Sequence, residues 1–265
     1  MVSEVNRHWS EEFQKTLSFE SKKVLEIGCG DGAMLKHIAS TFIPERIIGI
    51  DNGLESWHGI GESSGGNWEI CDGDAENLSF EDKSFDVACS LGTFEHINDV
   101  SKALAEIKRV LKPFGKFHTA FSAIWTSVSG HHCSNHEFEL CLDEPDVFAA
   151  VLPPWSHLYM GKEECEEYLS CQGFSKAVRD YISEKVFNSK CINRLSASTL
   201  KQAFFDCGMI IRLYREYISL SRLWPKRGPS ELSDEIKERI AGTGYNYSDI
   251  GIVSMEVCLE KYAEL

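Results

Sequence analysis

The sequence predicts an α/β fold, a doubly wound and mostly parallel sheet with helices on both faces. Three observations predict it. Short apolar, β-prone runs alternate with segments of helical period along the first half of the chain. The first such run, Val24-Leu25-Glu26-Ile27, breaks into Gly28, Gly30 and Gly32 and is followed at once by the helix-like Ala33-Met34-Leu35-Lys36-His37-Ile38-Ala39. The runs Arg46–Asp51 and Ser84–Leu91 are nearly continuous in apolar residues, as strands buried on both faces are.

The stretch V-L-E-I-G-C-G-D-G (24–32) marks a binding place, because glycine reaches positive φ and lets a ligand lie against bare backbone. Two cofactors compete for it. Gly28, Gly30 and Ala33 satisfy the looser dinucleotide pattern G-x-G-x-x-G/A. A pyrophosphate, however, needs unopposed N–H groups at the helix start. Glu26 before the turn and Asp31 inside it would repel phosphate and suit a ligand with a cationic end. These residues resemble motif I of the class I S-adenosylmethionine-dependent methyltransferases, written acid-x-G-x-G-x-G. The resemblance implies that Glu26, Gly28, Gly30, Asp31 and Gly32 hold the amino-acid end of S-adenosylmethionine. It also implies a Rossmann-like sheet of seven strands with the last antiparallel.

Downstream residues follow the same family order. Asp51 closes the second strand nineteen residues after Gly32, where a carboxylate accepts from both ribose hydroxyls, with Asn52 beside it. That feature serves either cofactor. Gly59 to Gly66 reads as a loop, and Trp68–Cys71 as a short third strand. The G-D-A-x-x-L run at 73–78 resembles the family's adenine contact, which implies Asp74 for the amino group and the Ala75 N–H for a ring nitrogen. A nicotinamide enzyme has no particular use for that acid. The fourth strand ends in Ser90-Leu91-Gly92-Thr93-Phe94-Glu95-His96-Ile97, which matches the family's F-D…E-H-I pattern and carries Ser90 and Leu91 to the cofactor. A helix with Ala103, Leu104, Ile107, Val110 and Leu111 follows. The turn Lys112-Pro113-Phe114-Gly115 again resembles the family and leads into a fifth strand at Phe117–Phe121.

The flanking regions read more plainly. Ser10 is expected to cap a short amphipathic helix with Phe13 and Leu17 on one face, and the resemblance implies that this segment closes over the cofactor near His8 and Trp9. Residues 196–207 form a helix ended by Gly208, and Met209–Ile218 with Ile250–Leu259 make the final antiparallel pair. A small helix at Ser233–Ile240 lies between those strands.

At 265 residues the chain suffices for one large α/β domain with an insertion, or for two small ones. The first is expected, a single domain over 1–265 with 122–195 inserted as a substrate lid, since a connection so long carries structure or function. The lid holds Trp125, His131, His132, His136, Trp155, His157, Tyr159 and a helix near Lys162–Ser170. Aromatics mixed with histidines suit a small polar acceptor that has an apolar face.

Three roles are open to the lid histidines. One of His131, His132 and His136 is a general base, imidazole being suited to take a hydroxyl proton near neutral pH. Alternatively the group binds metal with Cys133, His136, Glu137 or Cys141, although H-H-C-x-x-H-E matches no specific zinc spacing, and no metal is expected. Or they hydrogen-bond structurally. His96, next to the tail of the fourth strand, is a further candidate for the base.

A net charge of −14 argues against a nucleic-acid partner. Ten scattered cysteines without a C-x-x-C pair suit a reducing compartment, and neither a signal peptide nor an apolar run of the ~20 residues a membrane span needs is present. The expectation is a cytoplasmic enzyme that methylates an oxygen, less readily a nitrogen, of a small metabolite, sugar-like or of natural-product type. No N-P-P-Y tetrad follows the fourth strand, which disfavours amide or adenine methylation. A nicotinamide-dependent oxidoreductase and a non-catalytic cofactor-binding scaffold are the competing readings.

Overall fold

Strand β1 (Lys23–Ile27) pairs in parallel with β2 (Arg46–Asp51) on one side and with β5 (Phe85–Leu91) on the other. The chain order therefore reverses direction across β1, and such a switch point opens a crevice at the carboxyl ends of the strands. The computed structural model describes residues 2–53, 63–133, 152–218, 233–246 and 248–263. Beyond β2 lie β4 (Trp68–Asp72), parallel, and β3 (Ser64–Gly65), antiparallel. Beyond β5 lie β6 (Leu111–Ser122), parallel, then β8 (Ser254–Glu260) and β7 (Ile210–Tyr217). The order is β3-β4-β2-β1-β5-β6-β8-β7, with the last strands antiparallel.

The sheet has eight strands rather than the seven expected. The addition is the two-residue β3, which folds part of the anticipated Gly59–Gly66 loop back onto β4; residues 54–62 lie outside the described residues. Two other boundaries move. β6 begins at Leu111, so the Lys112-Pro113-Phe114-Gly115 turn is a distortion inside an edge-to-edge pairing with β5 that shifts register between Phe85 and Val87. β8 starts at Ser254, because Ile250 is buried in a 3-10 turn at Asp249–Gly251.

Helices α1 (Glu4–Leu17) and α2 (Ala33–Thr41) cover one face of the sheet, and α3 (Val100–Val110) follows β5. Helix α1 starts at Ser3, whose hydroxyl accepts from the Asn6 N–H at 3.1 Å; Ser10 is not the cap. Ser10 is buried mid-helix with its hydroxyl donating to the Arg7 carbonyl at 2.8 Å, the local bond that lets a serine sit inside a helix. Phe13 and Leu17 pack with Val24, Met34, Leu35, Ile38, Val87 and Cys89. Behind another part of the sheet, Phe94 stacks among Phe117, Phe121 and Phe204 with ring centroids 5.4–5.8 Å apart. A buried polar chain also fastens α1. Thr16 Oγ1 lies 2.6 Å from His118 Nδ1, His118 Nε2 lies 3.1 Å from Glu256 Oε1, and Arg215 donates to Glu256 Oε2 at 3.1 Å. Burial holds the His118 pKa below its ordinary value although Glu256 pulls the other way.

The chain divides into two compact units. The first holds Met1–Phe121, Lys201–Arg215 and Met255–Leu265, and so most of the sheet; the second holds Ser122–Leu200 and Glu216–Ser254. The second is larger than the lid expected at 122–195, because it takes in residues far along the chain. Trp155 is fully buried and donates Nε1–H to the Ile250 carbonyl at 2.9 Å. Asp249 receives both the Ser198 N–H (3.0 Å) and its hydroxyl (2.9 Å), which satisfies the first turn of α7 (Ala197–Asp206). Arg239 of α8 (Asp234–Ala241) reaches Glu164 at 2.6 Å on α5 (Lys162–Cys171). The short α4 (Ser156–Tyr159) and α6 (Lys176–Ser183) complete this unit around a core of Trp125, Trp155, Leu158, Leu169, Ile182 and Ile250. Among the described residues no helix is long and apolar enough to cross a membrane.

Candidate functional site

Four neighbouring parallel strands, β4, β2, β1 and β5, end side by side in the first unit, and the sequence-predicted cofactor residues sit on those ends. Gly28, Gly30 and Gly32 have φ of +71°, +52° and +72°, so all three adopt the left-handed backbone the motif requires. Two of them are also sterically obligatory. A Cβ on Gly28 would fall 2.1 Å from Thr93 Oγ1, and one on Gly32 would fall 2.2 Å from Ile70 Cδ1. The turn is held on β2 by the N–H groups of Gly28 and Cys29, which share the Ile50 carbonyl at 2.8 and 3.0 Å.

Asp51 ties the same turn to the end of β2. Its Oδ2 accepts from the Gly30 N–H at 3.0 Å and its Oδ1 from the Gly53 N–H at 3.2 Å. Both carboxylate oxygens are thereby fixed by backbone N–H groups. Asn52 is exposed beside it. Asp31 is exposed, with Oδ1 accepting from the Ala33 N–H at 2.9 Å at the start of α2.

Glu26 is the electrostatic centre. It projects from β1, is fully buried, and its Oε2 has no hydrogen-bond partner among the described residues. Burial, then the neighbouring Asp31 and Asp51, push its pKa up to about 8. A buried carboxyl oxygen without a partner is rare in a folded protein. Three acids gathered at one glycine turn favour a cationic group and oppose a pyrophosphate.

The third contact follows β4. Asp74 Oδ1 accepts from the Glu76 N–H at 2.8 Å and the Asp74 carbonyl from the Asn77 N–H at 3.0 Å, which closes a tight turn with Ala75 at its centre. Glu76 then accepts from the Asp99 N–H at 2.9 Å, and Asp99 caps α3, so this turn is braced on the following helix. On the β5 side, Ser90 is completely buried, its hydroxyl without a partner among the described residues, and Leu91 is half-buried. Gly92 turns the chain with φ +61°. Thr93 Oγ1 then reaches back to the Ile27 carbonyl at 3.3 Å.

Thr93 was not singled out by sequence reasoning. It is what makes Gly28 obligatory, yet no local pattern relates residues so far apart in the chain.

The three histidines expected to act in catalysis fall in different settings. His96 is exposed in the first unit, one turn beyond Gly92, with its N–H on the Thr93 carbonyl at 2.8 Å. His131 and His132 lie in the second unit. His131 is completely buried, its Nδ1 accepts from the Cys133 N–H at 2.9 Å, and its rings lie 5.2 Å from His157. Burial pushes its pKa well below the ordinary value. His132 is half-buried at φ +54° with Nε2 on the Ala123 carbonyl at 2.7 Å. Among the described residues no cluster of three metal-ligating side chains forms; His136, Glu137 and Cys141 lie outside the described residues.

Parts of this chain are similar to known proteins. The family described as "Methyltransferase domain" matches residues 25–119, the stretch that carries all the strand-end contacts. A fatty-acid O-methyltransferase of Mycolicibacterium smegmatis is 32% identical over 123 residues, 43% of this chain and 43% of that protein. A sterol 4-C-methyltransferase of Caenorhabditis elegans is 27% identical over 172 residues, 58% of this chain and 50% of that protein. The chain thus spans half or less of the length of these two relatives. A methyltransferase structure from Mesorhizobium loti superposes with a TM-score of 0.54 at 13% identity, covering 96% of this chain and 97% of that one, a likeness of fold.

Proposed function

We propose that this chain is a class I S-adenosylmethionine-dependent methyltransferase that transfers a methyl group to an oxygen of a small-molecule acceptor. The observation that carries this reading is the buried Glu26, with Oε2 unpartnered among the described residues, next to three left-handed glycines. It fits the ammonium group of S-adenosylmethionine, as Asp51 fits a ribose diol and the Asp74–Ala75 turn an adenine edge. When bound, the cofactor supplies an electrophilic methyl group whose thioether leaving group needs no proton.

The rest is left to this chain. Gly28, Gly30, Asp31 and Gly32 hold the amino-acid end against bare backbone, Asp51 and Asn52 orient the ribose, and Ser90 with Leu91 line the β5 side. Fixing donor and acceptor in line is itself a large part of the rate enhancement. A hydroxyl acceptor must also lose its proton. Of the three candidate histidines, His96 is assigned that step, because it is exposed and lies in the unit that holds the glycine turn. His131 and His132 give one ring nitrogen each to the backbone. The fatty-acid relative supports an oxygen acceptor with apolar bulk; the sterol relative favours a carbon acceptor as the second reading.

Two measurements test this. Calorimetric titration with S-adenosylhomocysteine should show one tight site, and NADH none; the reverse result overturns the reading in favour of a nicotinamide enzyme. Transfer of labelled methyl from S-adenosylmethionine to a panel of hydroxy and carboxy lipids and phenols should label oxygen. Label on carbon selects the second reading, and tight cofactor binding without any transfer selects the scaffold.

A further inference from the structure

Two buried histidines in the second unit, His131 and His157, have their protons assigned by backbone partners. His131 Nδ1 accepts from the Cys133 N–H, so the neutral ring carries its proton on Nε2. His157 Nε2 lies 2.6 Å from the Trp125 carbonyl, which only accepts, so that nitrogen carries the proton and Nδ1 keeps its lone pair. Each ring's other nitrogen is buried and without a partner among the described residues: a donor on His131, an acceptor on His157. Burial keeps both rings neutral, His157 with a pKa of about 3.

Two hydroxyls share this fate. Ser127 and Ser156 are buried to 0% and 1% exposure, and neither hydroxyl has a partner among the described residues. The segments are knit together. The Trp155 N–H donates to the Val128 carbonyl at 3.1 Å, His157 packs edge-on to Trp125 at 4.6 Å, and the two imidazoles lie 5.2 Å apart. A buried polar atom left unmet is costly, and two of these four, a donor on His131 and an acceptor on His157 of rings 5.2 Å apart, are of the kind one hydroxyl satisfies together.

We propose that the second unit contains a subsite for the hydroxyl group of an amphiphilic alcohol, whose oxygen accepts from His131 Nε2–H and donates to His157 Nδ1. Water shares the hydroxyl chemistry, but the surroundings argue for a carbon-bearing occupant, since Trp125, Val128, Leu152, Trp155 and Leu158 make them apolar. A carboxylate or ketone, which only accepts, leaves the His157 lone pair unmet. This assignment rests on the reading of the chain as an enzyme that acts on a small molecule with apolar bulk.

The test uses the full chain and the tryptophan fluorescence of the unit, with cyclohexanol, cyclohexanone and cyclohexanecarboxylate as probes. Cyclohexanol should bind saturably and at least roughly tenfold tighter than the other two. His157→Phe should bring cyclohexanol down to the ketone's affinity, with titration of S-adenosylhomocysteine unchanged. Equal binding of all three probes, or none, overturns the proposal even where S-adenosylhomocysteine still binds, so its failure is distinct from failure of the methyltransferase reading. Should the variant not fold, 15N spectra of histidine-labelled native chain decide: protons on Nδ1 of either ring overturn it. A crystal grown with cyclohexanol that shows an isolated oxygen without a ring assigns the site to water and overturns it too.

Discussion

The glycine turn of the first unit and the histidine pair of the second solve the same problem with opposite signs. Each buries titratable groups without matching countercharge. In the first, burial and two neighbouring carboxylates drive the Glu26 pKa up to about 8, so the acid is mostly neutral at pH 7. In the second, burial drives His157 down to about 3 and His131 well below its ordinary range, so the bases are neutral as well. Both sets of groups are therefore largely uncharged near neutral pH. What differs is how the groups are gathered: the acids by strand ends set a few residues apart around one turn, the histidines by a fold-back that joins Trp125–His131 to Trp155–His157.

The largest effect should come from Gly28→Ala. It places a methyl 2.1 Å from Thr93 Oγ1 at φ +71°, combining overpacking with left-handed strain. The variant should lose about 3 kcal/mol or more in urea unfolding, and Thr93→Ala in the same chain should restore part of it. Equal loss in single and double variants would show that the contact is not what demands glycine.

Next, the two units should respond to pH in opposite directions. A raised acid pKa means the folded chain favours protonated Glu26; that stability is full below the ordinary carboxyl range and is lost as pH rises toward about 8. A lowered histidine pKa means stability present above the ordinary imidazole range and lost as pH falls toward about 3. Glu26→Gln should therefore flatten the alkaline side of a stability–pH curve by ~2–4 kcal/mol, and His157→Phe the acid side by a similar amount. Both variants acting on the same limb would refute the contrast.

Ligand binding sharpens it further. An ammonium group pairing with Glu26 must release its proton, so the affinity for S-adenosylhomocysteine should rise up to roughly tenfold per pH unit from 6 toward 8 and then level off. Calorimetry in buffers of different ionisation enthalpy should count close to one proton released at pH 7. Asp51→Ala should weaken the same ligand by ~1–3 kcal/mol, losing a diol acceptor and freeing the Gly30 and Gly53 amides. The smallest effect should be that of His131→Ala on cofactor affinity, within about twofold, while methyl transfer falls.

The strand-end site was legible because its chemistry is local. The spacing of Glu26, Gly28, Gly30 and Gly32 encodes a strand, a left-handed turn and a helix start within nine residues. Asp51 and Asp74 occupy corresponding strand ends, so reading the strands placed them. The N-cap Ser3 was missed because Ser10, a good capping residue, is also tolerated inside a helix when it bonds back to Arg7. The eighth strand was missed because two residues carry no alternation to read.

By itself, then, the sequence determined the α/β fold, the switch point and the acids around the glycine turn, all of which depend on short-range periodicity and backbone conformation. Tertiary structure alone decided three things: that Thr93 enforces Gly28, that residues 216–254 join 122–200 in a second unit, and that His131 pairs with His157. Each is a contact between residues distant in the chain, and burial, which assigned the protonation of Glu26 and of both histidines, is a property of the packed molecule rather than of any segment.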